Sequence, residues 1–268
     1  MGWLERLRRV AAPRRPAEDP MAAALAAFRR GDHAQALALW EAPARAGDPR
    51  AQCNIGACFA EGLGVPADAA LALRWLTPPA EAGYAPAQRN LAGLLLRGGP
   101  GIETDFARAA ALYRLAAEAG DGLAQDMLSW MLLEGEVMPP DPIEARRWAE
   151  AAAAQGVAAA MTRLGMLHHH AMGVPRDPAA AVRWWCQAAA RGDADGQAML
   201  GAALHLGAGI AADPVAALAW LLRAEAGGSQ LARPFLGPAR AALDAAGQAE
   251  AAACAAAPLP EAASEPAA

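Results

Sequence analysis

A spacing of 36 residues runs through this chain. Asp32, Asp68, Asp105, Asp141, Asp177 and Asp213 recur with gaps of 36, 37, 36, 36 and 36 residues, and Gly47, Gly83, Gly120, Gly156, Gly192 and Gly228 repeat the same gaps. Eight residues before each glycine stand Leu39, Trp75, Leu112, Trp148, Trp184 and Trp220. The single gap of 37 comes from one extra residue in the loop RGGPGI. A period of this size marks a supersecondary unit that buries its apolar face only against the next copy, so the chain should be a stacked array.

Each column has a physical reading, and together they define a helix hairpin. Asp141, Asp177 and Asp213 are each followed by proline, the pairing expected of a capping acceptor followed by a residue that needs no N–H at the first helical position. Glu144, three residues after Asp141, can close a capping box. The glycine column ends each of these second helices, because a left-handed residue just past the last turn costs glycine little. A first helix precedes each loop, from about Pro49 to Glu61 in the best-marked copy. Ile55, Leu91, Leu128, Leu164 and Leu200 form its apolar column, with Gly56, Ala92, Ser129, Gly165 and Gly201 as a small column beside it. Small residues there let the paired helix approach closely. Gly62, Gly98, Gly135 and Gly207 end the first helix, and Val65, Ile102, Met138, Val174 and Ile210 pin the connecting loop. Trp148 and Trp184 are expected to fill the core between paired helices.

Composition supports an all-α fold. Aromatic residues are 5% of the 268 while alanine runs recur, which disfavours strands and favours helices packed through small side chains. All 23 basic residues are arginine, a bias of genome composition more than a phosphate-binding device. A net charge of −5 and a pI near 5.6 make nucleic acid a poor partner. Cys53, Cys58, Cys186 and Cys254 show no regular pairing and no C-x-x-C. Cys53 and Cys58 lie roughly 140° apart around a helix, so their thiols cannot meet and a reducing compartment suits them. The start, MGWLERLRRV, lacks the apolar run of a secretory signal, and no later stretch is long and apolar enough to span a bilayer; the expected location is cytoplasmic. Trp3, Leu4, Leu7 and Val10 nevertheless share one helical face, a candidate contact with a membrane surface or a partner.

The pattern L-G-x-x-F-x-x-G-x-G-V-x-x-D, followed by A-x-x-W and A-x-x-G, resembles the Sel1-like repeat, a relative of the tetratricopeptide repeat, over about Met21 to Gly228. The resemblance implies an α-α superhelix, a right-handed solenoid of about six Sel1-like helix hairpins. The expected layout is 1–20 a basic amphipathic segment and linker, 21–228 the solenoid, 229–257 capping helices with Leu231 and Phe235 covering the last repeat, and 258–268 a disordered tail. Three departures stand out. Val137 replaces the second loop glycine, His168 replaces an aromatic or leucine, and the first repeat has only FRRGDHAQ where the loop belongs.

Catalysis finds little material. His168, His169 and His170 with His205 invite a metal reading, but consecutive residues point about 100° apart on a helix, and the spacing is not that of a zinc site. The glycine pairs follow no strand and no P-loop motif. Serine is limited to Ser129, Ser229 and Ser264, with no G-x-S-x-G elbow. No cofactor or metal is implied, and the chain is not expected to be an enzyme. The resemblance implies instead an interaction scaffold binding a protein or peptide in a concave groove lined by first helices. The groove candidates are Arg89, Arg97, Asp126, Trp130, Glu134, Met166, His169, His170 and His205, with Trp130 the foremost anchor because its counterparts Ala57, Gly93 and Ala202 are small. The alternative, from some secreted relatives, is a small-ligand or cell-wall-fragment binder or a hydrolase-like activity. Those relatives carry two cysteines per repeat and a signal peptide, which this sequence does not share.

Overall fold

The computed structural model describes residues 19–259. The segment carrying Trp3, Leu4, Leu7 and Val10, most of the linker, and nearly all of the tail lie outside the described residues. Fourteen helices occur among the described residues: α1 (Pro20–Arg29), α2 (His33–Arg45), α3 (Pro49–Glu61), α4 (Ala69–Glu81), α5 (Ala85–Arg97), α6 (Phe106–Glu118), α7 (Gly122–Glu134), α8 (Pro142–Ala154), α9 (Ala158–His170), α10 (Pro178–Ala190), α11 (Ala194–Leu206), α12 (Pro214–Ala226), α13 (Arg233–Ala241) and α14 (Ala245–Ala256). The fold is all-α. It divides into two compact units, 1–109 and 110–268, with the division inside α6.

The repeat columns set the helix ends. Oδ1 of Asp32, Asp68, Asp105, Asp177 and Asp213 accepts the backbone N–H three residues on, at 2.9 to 3.1 Å. Asp141 does the same for Ile143 and Glu144. A second set of caps, Asp48, Asp121 and Asp193, opens the first helices α3, α7 and α11. The glycine column closes α2, α4, α6, α8, α10 and α12 with φ between 83° and 93°, a region where a Cβ would crowd the following carbonyl. The expected capping box at Glu144 does not form. The N–H of Asp141 is taken by the carbonyl of Leu132 at 3.0 Å, and its counterparts at Asp68, Asp105, Asp177 and Asp213 bond Phe59, Leu95, His168 and Leu204 in the same way. That bond closes the loop between first and second helix in every complete repeat, so Glu144 turns instead to Arg114 and Trp148.

The core lies one residue beyond the column of large residues that the sequence marks. Trp75, Trp148, Trp184 and Trp220 are half-buried and pack on the rim. The next column, Trp40, Leu76, Tyr113, Ala149, Trp185 and Leu221, is buried throughout. Its members match the small column of the first helices in volume. A Cβ added to Gly56 would meet Leu76 at 2.6 Å, one on Gly201 would meet Leu221 at 2.8 Å, and one on Gly165 would overlap the Trp185 ring. Where the first helix carries Ser129, the buried partner column carries Ala149. The hairpins α3–α4, α7–α8, α9–α10 and α11–α12 are each a size-matched pair, and helix-to-helix packing at such density tolerates neither an extra methyl nor a void.

A column of glutamines, unmarked in the sequence reading, joins successive hairpins. Nε2 of Gln52, Gln88, Gln125 and Gln197 donates to the carbonyl eight residues earlier, at Ala44, Ala80, Ala117 and Ala189, over 3.1 to 3.3 Å. These carbonyls belong to the last turn of the preceding helix, where each also accepts the N–H of the closing glycine at 3.0 to 3.1 Å, so the glutamine is its second donor. Gln248 repeats the bond to Arg240 between α13 and α14. In the fourth position Met161 interrupts the column.

At the C-terminal end, Leu236, Ala232, Ala239 and Ala251 bury themselves against α12, with Phe235 and Leu243 partly buried beside them. Leu231 is 42% exposed and does not cover the last repeat as expected; it sits in the turn before α13, whose buried face starts at Ala232. Both guanidinium bonds of Arg223 close off α14, reaching the carbonyls of Cys254 and Ala257 at 2.6 Å. No helix among the described residues is long and apolar enough to cross a membrane.

Candidate partner-binding face

Within 110–268, the first helices α7, α9 and α11 carry equivalent positions, and most of the expected contact residues fall here. Asp126 on α7 is buried, at 8% exposure. Its Oδ1 accepts both Nε and Nη2 of Arg163 on α9, at 3.3 and 3.2 Å. Asp126 is therefore a strut between neighbouring repeats and is removed from the set offered to a partner. Burial of the pair makes it costly to break from one side, since either partner alone would be left as an uncompensated charge.

Trp130 and Met166 flank this strut. Trp130 is four residues after Asp126 and Met166 three after Arg163, so each stands one turn along from a member of the pair, on the same face of its helix. Trp130 is half-buried, and Met166 is 38% exposed. The same position holds Ala57, Gly93 and Ala202 in other repeats. A large flat ring and a flexible thioether thus occupy a site that the hairpin itself fills with hydrogen or methyl.

The next turn holds the histidines. His169 is half-buried with its ring 5.6 Å from that of Trp185 and 4.7 Å from that of His170. Burial, then the neighbouring His170 and Arg176, lowers its affinity for a proton, so it is uncharged at neutral pH. His170 is exposed and His205 half-buried. His168 is half-buried, with Nδ1 enclosed and without a hydrogen-bond partner among the described residues. No group of three or more histidine, cysteine, aspartate or glutamate side chains among the described residues is placed to hold a metal ion. Glu134 and Leu206 are exposed at the ends of α7 and α11, Leu206 at 63%.

Ala171 follows the histidines and takes φ 58°, the one positive value at a non-glycine among the described residues. It ends α9 where Gly62, Gly98, Gly135 and Gly207 end the equivalent helices.

Within 1–109 the equivalent face is polar. Arg97 on α5 pairs with Glu61 on α3 at 2.7 Å, both side chains 56% exposed, a contact of small energetic weight. Arg89 is half-buried beside Asn90, and Asn90 Nδ2 donates to Sγ of Cys53 at 3.3 Å. Arg89 and Arg97 thus belong to a different unit from the apolar and histidine positions.

The Sel1 repeat model matches 49–84, 85–121, 122–157, 158–193 and 194–229. The chain belongs to the Sel1 repeat family. Five matched Sel1 repeats correspond to α3–α4, α5–α6, α7–α8, α9–α10 and α11–α12, and α1–α2 adds a hairpin that the family model does not match. A Sel1 repeat protein from Oxalobacter formigenes superposes with a TM-score of 0.67 at 29% identity, covering 80% of this chain and 88% of that one. The structure of c5321, a protective antigen of uropathogenic Escherichia coli with an SLR fold, gives a TM-score of 0.70 at 27% identity, covering 94% of this chain and 55% of that one. Chitin synthase regulatory factor 3 of Schizosaccharomyces pombe is 34% identical over 128 residues, which is 47% of this chain and 14% of that protein. Sel1 repeat proteins are generally protein-interaction scaffolds and are typically non-enzymatic.

Proposed function

We propose that this Sel1 repeat chain is an adaptor that holds a protein or peptide on the first-helix face of α7, α9 and α11. The observation that carries the reading is the pair Trp130 and Met166, large accessible side chains at a position that the fold fills with alanine or glycine elsewhere. Tryptophan and methionine are enriched where interfaces bury their centre, and a tryptophan anchor commonly supplies a large share of binding energy. His169, His170, His205 and Glu134 supply the polar surround of such a patch. A cytoplasmic site of action belongs to the same proposal, supported by the thiols of Cys58, Cys186 and Cys254, none of which is in a disulfide.

The test is capture from an extract of the native cell, with the intact chain and Trp130→Ala as paired baits. A partner retained by the first and lost by the second, at equal melting temperature, is the expected result. Equal capture by both baits refutes the assignment of this face.

A further inference from the structure

Resting on that reading of the face, we infer that the element held on α7, α9 and α11 is a basic amphipathic helix, laid across an apolar strip in which methionine recurs. Trp130 and Met166 are the middle of this strip and not the whole of it. Leu123 and Met127 stand seven and three residues before Trp130 on α7, the spacing of one helix face. Met199 on α11 occupies the position of Met127 two repeats later, and Leu206 follows it by seven residues on the same face. Since α9 packs against both α7 and α11, these rows run side by side. Leu123 is 52% exposed and Leu206 63%, while Met127 and Met199 are half-buried. Large apolar side chains left together in water mark a surface that another molecule covers.

Backbone chemistry selects a helix over an extended peptide. The row that holds Asn54 and Asn90 in 19–109 holds Met127, Arg163 and Met199 here, and Arg163 is spent on Asp126. An extended peptide on this strip would turn its N–H and C=O groups toward thioethers and an indole, which cannot satisfy them. A helix pairs those groups internally and offers only side chains, to which flexible thioethers adapt. The strip has the dimensions for one. From α7 to α11 is two interaxial spacings of about 8–10 Å, and from the turn of Leu123 to that of Leu206 is about 16 Å along the helices, a diagonal of about 25 Å or about 16 helical residues. Charge selects its sign. Exposed carboxylates stand on the helices at both ends of the strip, Glu134 at the end of α7 and Asp195 in the first turn of α11, where Asp195 also accepts Ser229 Oγ at 2.6 Å. Arg163 is neutralised by its partner, and Arg176 belongs to the loop after α9, donating to the carbonyl of His169. Lysine and arginine along the edges of the incoming helix complement the two carboxylates.

Displayed random peptides of about 16 residues, selected on the full chain and then reselected on Trp130→Ala of equal melting temperature, test this. The expected peptides are lost with Trp130→Ala, carry apolar residues at helical spacing, and bear lysine or arginine beside them. In a selected peptide, changing those basic residues to glutamate should weaken binding about tenfold, and a central proline should weaken it at least about tenfold. Methionine methyl spectra of the full chain give a second readout: Met127, Met166 and Met199 should move further on binding than the buried Met131 and Met161. Selected peptides that are lost with Trp130→Ala but are extended, proline-rich or acidic overturn the inference and leave the face standing. Peptides retained equally by Trp130→Ala overturn both. If no peptide is selected, the helical occupant is overturned, while capture from the native extract still decides the face.

Discussion

Neighbouring tryptophans on α10 give the sharpest stability test. Trp185 is 2% exposed, lies against the bare backbone of Gly165, and donates Nε1 to the carbonyl of Thr162 at 3.3 Å. Trp184, one residue earlier, is half-buried and packs on the rim of a cluster that includes Met161 and Leu164. Replacing a fully buried tryptophan with alanine costs about 3–5 kcal/mol through lost transfer energy and the cavity left behind. Losing the half-buried ring costs about 1–2 kcal/mol, since part of its surface is already in water. At roughly 2–4 °C per kcal/mol for a chain of this size, Trp185→Ala should lower the melting temperature by about 6–20 °C and Trp184→Ala by about 2–8 °C. Circular dichroism melts at equal concentration read both. The pairing with Gly165 adds a second condition. Gly165→Ala alone should cost about 1–3 kcal/mol by overpacking, and combined with Trp185→Ala it should cost less than the sum, because the clashing ring is gone. A Trp184→Ala loss equal to that of Trp185→Ala, or strict additivity of Gly165→Ala with Trp185→Ala, refutes the packing argument.

Ala171 holds a left-handed backbone at φ 58°, so Ala171→Gly should stabilise the chain by about 1 kcal/mol in urea unfolding; a loss of stability would mean the methyl makes contacts that outweigh the strain. Gln197→Ala removes one of two donors to the carbonyl of Ala189, which keeps the N–H of Gly192, and should cost about 1 kcal/mol in the same assay. The bond from Arg114, with that from Trp148, holds the Glu144 carboxyl below its usual range against the opposing effect of burial. A carboxyl depressed in the folded state stabilises above its unfolded value, and that contribution is lost as pH falls through the folded value. The melting difference between native chain and Arg114→Met should therefore be largest at neutral pH and vanish in acid, and a pH-independent difference would contradict the assignment.

The fold was open to reading from the sequence because its determinants are periodic. Aspartate caps and terminal glycines obey local rules at every repeat, so they stand out at 36-residue spacing and lie where the structure places them. The buried column at 40, 76, 113, 149, 185 and 221 was hidden because its residue type changes from Trp to Ala as the opposing small column changes from Gly to Ser. The half-buried tryptophans beside it carry the more regular signal. Glutamines at 52, 88, 125 and 197 were regular enough to be found, but their role depends on a carbonyl in the preceding helix that has no sequence signature. The candidate face was legible in part. Trp130 and Met166 were visible as large residues in a small-residue column, whereas the burial of Asp126 depends on Arg163 arriving from the next repeat.

The most direct test of the adaptor reading is calorimetric titration of the captured partner against Trp130→Ala and Trp148→Ala. Trp130 lies on the first-helix face and Trp148 on α8, where its Nε1 bonds Glu144. Loss of an interface tryptophan anchor costs about 2 kcal/mol or more, so Trp130→Ala should raise Kd by about thirtyfold or more while Trp148→Ala leaves it within a factor of about two. An unchanged Kd for Trp130→Ala, or an equal loss for both variants, would contradict the account.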